Sequence, residues 1–163
     1  MFSTKVAIVT GGSRGIGRAI VQALSREGAK VAFTYVQNKA LADEIANGDS
    51  IIAFQADVAS LEQAKDLVKQ VKERFGRVDI LVNNAGITRD KLLAMMSEKD
   101  WDEVLDTNLK GVFNLTKPVV GVMLRQRSGT ILNITSISGI VGMAGQVNYS
   151  SSKAGMIGFT KAL

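Results

Sequence analysis

Tyr149 and Lys153 stand at i and i+4 in an Ala/Gly/Ser-rich stretch of helical character, a spacing that puts both side chains on one face about a turn apart. An ammonium beside a phenol favours the phenolate, and a tyrosine whose pKa falls from about 10 toward working pH becomes a usable general acid. The sequence has no histidine and no cysteine, so imidazole and thiolate chemistry, disulfides and the common metal ligands are excluded, and no metal site is expected. Acid–base work falls to Tyr, Lys, Asp or Glu. A solvated Tyr–Lys pair has the same spacing, so the pair needs company to mean chemistry. Asn108 is the next unusual residue: counted from Trp101 through Val104, Leu105 and Val112, it lies on the apolar stripe of its helix. A buried amide there requires partners, either structural or facing a site.

A third group of residues points to an anion. Thr10-Gly11-Gly12-Ser13-Arg14-Gly15-Ile16-Gly17 sits between an apolar run, Val6 to Val9, and a helix-like run, Arg18 to Arg26. A strand-turn-helix of this kind grips a dinucleotide pyrophosphate: Gly15 and Gly17 let the backbone approach without Cβ collisions, and the helix start offers free N–H groups and a positive dipole end. The same turn also occurs as a plain tight connection, so the rest of the chain decides.

The elements that must position these residues follow from periodicity. Val6–Val9, Val31–Tyr35, Ile51–Ala56, Ile80–Val82 and Thr130–Ile134 read as buried strands separated by helical patterns, which is βαβ repetition with a parallel sheet. The second helix, residues 39–46, is short, and Gly48-Asp49 turns the chain into strand three. The helix from Ser60 to Phe75 is amphipathic through Leu61, Ala64, Leu67, Val68, Val71 and Phe75, and Gly76 ends it. The longest helix runs from Ser97 to Arg127, with a kink or local break expected at Pro118 because proline removes a backbone donor.

Polar residues then fall at one edge. Asp57 follows strand three, Asn83-Asn84-Ala85-Gly86 follows strand four and Ser136 follows strand five. Taken singly these are an N-cap, turn residues and loop polarity. Together with the Gly-rich turn they converge at the carboxyl ends of the strands, where open α/β sheets bind ligands. The sequence also bears on the choice of dinucleotide. An acid for the ribose 2′-hydroxyl of NAD belongs at the end of strand two, about 20 residues past the glycines. That stretch is Thr34-Tyr35-Val36-Gln37-Asn38, with no carboxylate before Asp43, while Arg14 in the turn can pair with a 2′-phosphate. NADP(H) is therefore favoured, with a solvated Arg14 as the other reading.

The 163 residues, 46% hydrophobic with one proline, suit one domain with one sizeable core. A net charge of +5 is spread along the chain with few aromatics beside it, which fits an acidic partner or cofactor better than nucleic acid. The first apolar run begins by Val6 and no apolar stretch approaches bilayer length, so a soluble cytoplasmic protein without membrane association is expected.

Thr10-Gly11-x-x-x-Gly15-x-Gly17, Asn83-Asn84-Ala85-Gly86, Asn108, Ser136 and Tyr149-x-x-x-Lys153 resemble the short-chain dehydrogenases/reductases across nearly the whole chain. The stretches Gly86-Ile87-Thr88-Arg89-Asp90, Asp106-Thr107-Asn108-Leu109 and Gly145-Gln146-Val147-Asn148-Tyr149 are most similar to 3-oxoacyl-[acyl-carrier-protein] reductases of bacterial-type fatty acid synthesis. The resemblance implies a doubly wound, Rossmann-type sheet of order 3-2-1-4-5. It implies that Tyr149 protonates the 3-oxo oxygen as hydride arrives from the nicotinamide, that Ser136 hydrogen-bonds the developing alkoxide, and that Lys153 lowers the tyrosine pKa and holds the ribose hydroxyls. Asn108 would steady a water chain to Lys153. Gly11, Ser13, Arg14, Gly15, Ile16, Gly17, Asp57, Val58, Asn84, Ala85 and Gly86, with Tyr149 and Lys153, would bind NADP(H), Asp57 reading the adenine amine.

The family pattern is longer than this chain, adding two strands, a loop at the nicotinamide amide and helices over the acyl chain. Phe159-Thr160-Lys161-Ala162-Leu163 carries no Gly or Pro stop. Residues 1–163 are thus expected to be one dinucleotide-binding catalytic domain, incomplete at its carboxyl end, with strand five as a bare edge. The implied substrate is a 3-oxoacyl group on acyl carrier protein, and the implied state of the full-length chain is a homo-oligomer, dimer or tetramer. A non-catalytic dinucleotide-binding fragment and a reductase of another ketone or alcohol are the alternatives. Arg125 and Arg127, on the approach to strand five, fit two roles: receiving the acidic carrier protein beside the site mouth, or capping the helix end.

Overall fold

The computed structural model describes residues 2–163. Five strands, β1 (Val6–Val9), β2 (Lys30–Tyr35), β3 (Ile51–Gln55), β4 (Ile80–Asn83) and β5 (Thr130–Asn133), form one sheet in the order β3-β2-β1-β4-β5. Every pairing is parallel, with register Ala7 to Val31, Ala7 to Ile80, Val31 to Ile51 and Ile80 to Thr130. The expected doubly wound Rossmann-type sheet is present, and each strand matches its expected span to within a residue at either end.

Alternation along the strands divides the core. Val6, Ile8 and Leu81 point to one face, where α3 (Leu61–Phe75) contributes Leu67 and Val71, and α5 (Gly111–Gln126) contributes Leu115 and Val119. Ala7, Val9, Val31 and Phe33 point to the other, against Val21 of α1 (Gly15–Arg26) and Ala42 of α2 (Lys39–Asp43). Both faces of β1 are closed over, as a central parallel strand requires. The α3 helix is bounded as its sequence predicts: Ser60 Oγ accepts the Gln63 amide, and Gly76 takes φ 79°. The α2 helix ends at Asp43, three residues short of the expected Ala46, because Asn47 Oδ1 accepts the amides of Asp49, Ser50 and Ile51 and pulls the chain into a turn.

The long helical stretch departs from expectation. It comprises α4 (Glu98–Leu105), a π-helical turn over Asp106–Lys110 and α5, with no break at Pro118. Leu115, Val119 and Val122 are buried on either side of the proline, and this packing holds the helix together where one backbone donor is missing. The irregularity lies instead at Asp106–Lys110, around Asn108. A one-turn helix, α6 (Ser138–Val141), and the longer α7 (Val147–Ala162) complete the fold. Among the described residues, no helix is long and apolar enough to cross a membrane.

The strand directions fix what lies at each end of the sheet. Asn114, early in α5, donates to the carbonyls of Val58 and Ala59 beyond the carboxyl end of β3. Gln126, at the end of α5, exchanges hydrogen bonds with the Val78 backbone just before β4. Arg125 and Arg127 therefore stand at the amino edge, so the expectation that they flank the site mouth of their own chain is corrected. Arg127 is the C-cap of α5, in left-handed conformation at φ 54°.

Candidate active site

The Gly-rich turn is built by packing. Gly11 N–H donates to Thr34 Oγ1, Gly12 N–H to Thr34 O, and Thr10 N–H to Val82 O, so the turn is pinned to both neighbouring strands. A Cβ at Gly17 would overlap the Gly11 carbonyl oxygen and crowd Asn84 Nδ2, so only glycine lets α1 start this close to the turn. Gly15 is needed for its φ of 54°, and the space above it is open. Arg14, the N-cap of α1, makes no side-chain cap bond. The amides of Gly15, Ile16 and Gly17 consequently have no acceptor within the described residues, the usual state of an uncapped helix start. Ile16 is 65% exposed above them, Ser13 is buried below, and the exposed Arg14 guanidinium has no partner among the described residues. These groups fit a phosphate-bearing ligand.

The residues after β3 and β4 divide into two roles. Asp57 Oδ1 accepts the Ala59 amide, and Gln63 Oε1 accepts the Asp57 amide, leaving Asp57 Oδ2 without a partner among the described residues. Val58 is buried and its side chain meets Gly111. Asn84 is structural in its side chain: Nδ2 donates to the carbonyls of Thr10 and Gly11, while Thr10 Oγ1 accepts the amides of Asn84 and Ala85. Asn83 likewise donates to Thr116 Oγ1 and Asn133 Oδ1. What Asn84, Ala85 and Gly86 offer toward the edge is backbone. Thr10, which opens the Gly-rich motif, thus acts as the staple between the turn and the strand-four loop, a role its sequence position does not signal.

Beyond β5 the chain brings the remaining candidates together. Lys153 is buried, its Nζ donating to Ile134 O at 2.7 Å and lying 5.7 Å from the Tyr149 ring centroid. Burial pushes the Lys153 ammonium below its ordinary range. Thr135 Oγ1 donates to Lys153 O, and a Cβ at Gly139 would strike the Lys153 backbone, so the segment carrying Ser136 is packed against the α7 turn carrying Lys153. Tyr149 is half-buried. Asn108 is fully buried: Oδ1 accepts the Ile87 amide at 2.8 Å, and Nδ2 donates to Ile87 O and to Ser152 Oγ. Ser152 Oγ in turn donates to Tyr149 O. The π turn aims Asn108 at the strand-four loop and at α7 at once, and such turns are common at functional sites. Nothing within one helical period signals this, because both partners are remote in sequence.

Ser136 Oγ accepts the Ser138 amide and donates to Ser138 Oγ. Ser138 Oγ donates to Gln146 Oε1, and Gln146 Nε2 donates to Asp90 Oδ2. Around this group Ile137, Ile140, Val141 and Met143 are exposed, as are Leu92, Leu93 and Met95 on the strand-four side. The residues expected at one edge thus converge there, and Ser138, Gln146, Asp90, Thr10 and Ser152 join them.

Comparison with known proteins places the chain in a family. Residues 5–163 match the short chain dehydrogenase family. The chain is 51% identical over 166 residues to the 3-oxoacyl-[acyl-carrier-protein] reductase of Synechocystis sp., covering 99% of this chain and 67% of that protein. It is 54% identical over 162 residues to the 3-oxoacyl-[acyl-carrier-protein] reductase FabG of Staphylococcus epidermidis, covering 96% and 66%. It is 46% identical over 166 residues to the reductase of that name from Escherichia coli, covering 99% and 67%. The chain spans about two thirds of the length of these curated relatives.

Proposed function

This chain belongs to the short chain dehydrogenase family, and from that premise we propose that it carries the NADPH-binding and catalytic groups of a 3-oxoacyl-[acyl-carrier-protein] reductase. The observation that carries the reading is the placement of buried Lys153 under half-buried Tyr149, at the sheet edge that also holds the open Arg14–Gly17 turn. The bound nicotinamide supplies the hydride.

The protein's own residues do the rest. The free amides at the start of α1 hold the pyrophosphate, and Arg14, unpaired in the described residues, meets a 2′-phosphate, which favours NADP(H) over NAD(H). Asp57 Oδ2 is left to accept from the adenine amine. Tyr149 gives its proton to the 3-oxo oxygen, and Ser136 donates a hydrogen bond to the oxygen as charge develops. Lys153, its ammonium made a readier proton donor by burial, favours the phenolate left behind and holds the ribose hydroxyls. Asn108 anchors the strand-four loop to α7 through Ile87 and Ser152, and this fixes the space in which a proton-supplying water chain would run to Lys153.

The exposed Ile137, Ile140, Val141 and Met143 beside Ser136 suit an acyl chain better than a polar ketone. An acyl carrier protein is the proposed donor of that chain. We also propose self-association into a dimer or tetramer through an open groove of about 470 Å³ lined by Leu105, Leu109, Phe113, Gly155 and Phe159, which light scattering of the whole protein reads directly. The activity test mixes the whole protein with NADPH and a 3-oxoacyl thioester and follows loss of NADPH absorbance. Oxidation linked to 3-hydroxyacyl product supports the reading. Tight NADPH binding without turnover would identify a binding domain only, and turnover confined to polar ketones would reassign the substrate.

A further inference from the structure

We propose that Asp90, Gln146 and Ser138 form a positioning chain that sets the direction of the Ser136 hydroxyl, an inference that rests on the catalytic reading of Ser136 given above. The chain runs from Asp90 Oδ2 to Gln146 Nε2 at 2.8 Å, from Gln146 Oε1 to Ser138 Oγ at 3.3 Å, and from Ser138 Oγ to Ser136 Oγ at 3.3 Å. Its polarity follows by elimination. An ionised carboxylate only accepts, so it takes the NH₂ end of the Gln146 amide and turns the carbonyl end toward Ser138. That carbonyl only accepts, so the Ser138 proton must point at it. Ser138 Oγ is then left to accept, and the Ser136 proton points at Ser138.

The anchor of the chain is exposed, yet its backbone is fixed from several directions. Lys91 N–H donates to Gly145 O at 2.9 Å, and Asn148 Nδ2 donates to the carbonyls of Arg89 and Asp100, each at 3.1 Å. Lys91 Nζ pairs with Asp100 at 2.8 Å. Asn148 is fully buried and Ser138 nearly so. The segment on either side of Asp90 is thus tied to the one that carries Gln146 and leads into Tyr149. Both hydroxyl links are long beside the usual O–H···O distance of about 2.7–2.8 Å. They orient Ser136 at rest and give way when a carbonyl oxygen arrives at shorter range. The chain holds the proton in one place, from which a ketone draws it.

A double-mutant cycle separates positioning from general support. In the whole protein, Gln146→Ala should lower kcat about five- to tenfold, the size of one positioned hydrogen bond, with the NADPH Kd unchanged. In a Ser136→Ala background the same substitution should change kcat less than about twofold, because the group it orients is gone. The combined Asp90→Asn and Gln146→Glu substitutions reverse donor and acceptor across the first link, and should recover most of the activity that Gln146→Glu alone loses. An equal loss in both backgrounds, or no loss in either, overturns the proposal. A second readout does not depend on turnover: Asp90→Asn should shift the Ser138 amide resonance in a ¹H–¹⁵N NMR spectrum, and that response should vanish when Gln146 is Ala. If Ser138 responds regardless of Gln146, the chain is not connected as described. Failure of the wild type to reduce a 3-oxoacyl thioester would overturn the substrate reading while leaving this spectral test decisive for the chain.

Discussion

The two ends of the sheet handle charge in opposite ways. At the amino edge Asp79 is buried and saturated: Arg77 donates to both carboxylate oxygens at 2.6 and 2.7 Å, the Val6 amide donates at 3.0 Å and Lys5 Nζ at 3.4 Å. At the carboxyl edge Arg14, Asp57 Oδ2 and the first amides of α1 have no partner among the described residues, and Lys153 holds a single carbonyl. Hydrogen-bonding capacity left over, rather than charge as such, marks the ligand side. Substitutions at the carboxyl edge should therefore change function with little change in stability, and those at the amino edge the reverse.

The largest expected effect is at Tyr149. Tyr149→Phe removes the proton donor and should lower the reduction rate by about 10² to 10⁴, with NADPH binding within a few-fold of wild type and an unchanged melting temperature. Steady-state turnover, NADPH titration and a thermal scan check the three together. A variant that keeps a tenth of wild-type turnover, or that melts early, breaks the division between the edges. The pH profile adds to this: Lys153 serves as a cation, so kcat should fall as pH rises through its lowered pKa, below the ordinary lysine value.

At the opposite edge, Asp79→Asn should cost about 1.5–3 kcal/mol of stability, the range for hydrogen bonds to a charged group, and leave kcat within twofold once folded. Burial alone would raise the Asp79 pKa. The Arg77, Val6 and Lys5 hydrogen bonds outweigh it and hold the carboxyl below its usual value. A depressed carboxyl stabilises above its unfolded pKa and loses that contribution as pH falls through the folded one. The urea-unfolding gap between wild type and variant should thus be full at neutral pH and close below about pH 4. A gap that persists in acid would assign the effect to packing.

Arg14→Ala sharpens the comparison from the ligand side. An unpaired guanidinium at a helix start has only a ligand to lose, so the NADPH Kd should rise about tenfold, near 1.4 kcal/mol, with the NADH Kd and the melting temperature unchanged. Equal loss for both dinucleotides would place Arg14 on the pyrophosphate they share.

The two edges also differ in how far the sequence reveals them. The strands, their order and the convergence of Asp57, Ser136, Tyr149 and Lys153 follow from apolar periodicity and from the geometry of parallel sheets, both of which are local or generic. The Val6 and Lys5 bonds to Asp79, the Thr10–Asn84 staple and the Asp90–Gln146 link do not, because each joins residues 56 or more positions apart and polar pairing has no period. The π turn at Asp106–Lys110 escaped for the same reason: the apolar stripe runs through it, and only Asn108's contacts with Ile87 and Ser152 reveal it. Pro118 drew attention as the one visible breaker, yet the buried side chains around it override a single lost donor.

The smallest expected effect tests Arg127, where the sequence left docking and capping open. Its φ of 54° costs a residue with a Cβ about 1–2 kcal/mol, which glycine avoids. Against this stand about 0.5 kcal/mol for the freer unfolded glycine chain and about 0.3 kcal/mol for a cation lost from a helix carboxyl end. The balance favours Arg127→Gly by about 0.2–1.2 kcal/mol, a rise of up to about 5 °C in melting temperature for a chain of this size. No rise would mean that the guanidinium supports the helix end more than its backbone strains it. The same variant reads docking, because glycine removes the charge without disturbing the turn. Within one chain Arg127 lies at the edge opposite Tyr149, so no change in KM is expected unless chains associate. If KM rises for carrier-linked substrate, most strongly at low salt, while small thioesters are unaffected, Arg127 must reach the mouth from a second copy. That requires the α5 helices of the two copies to run antiparallel, carrying the saturated edge of one chain to the open edge of the other.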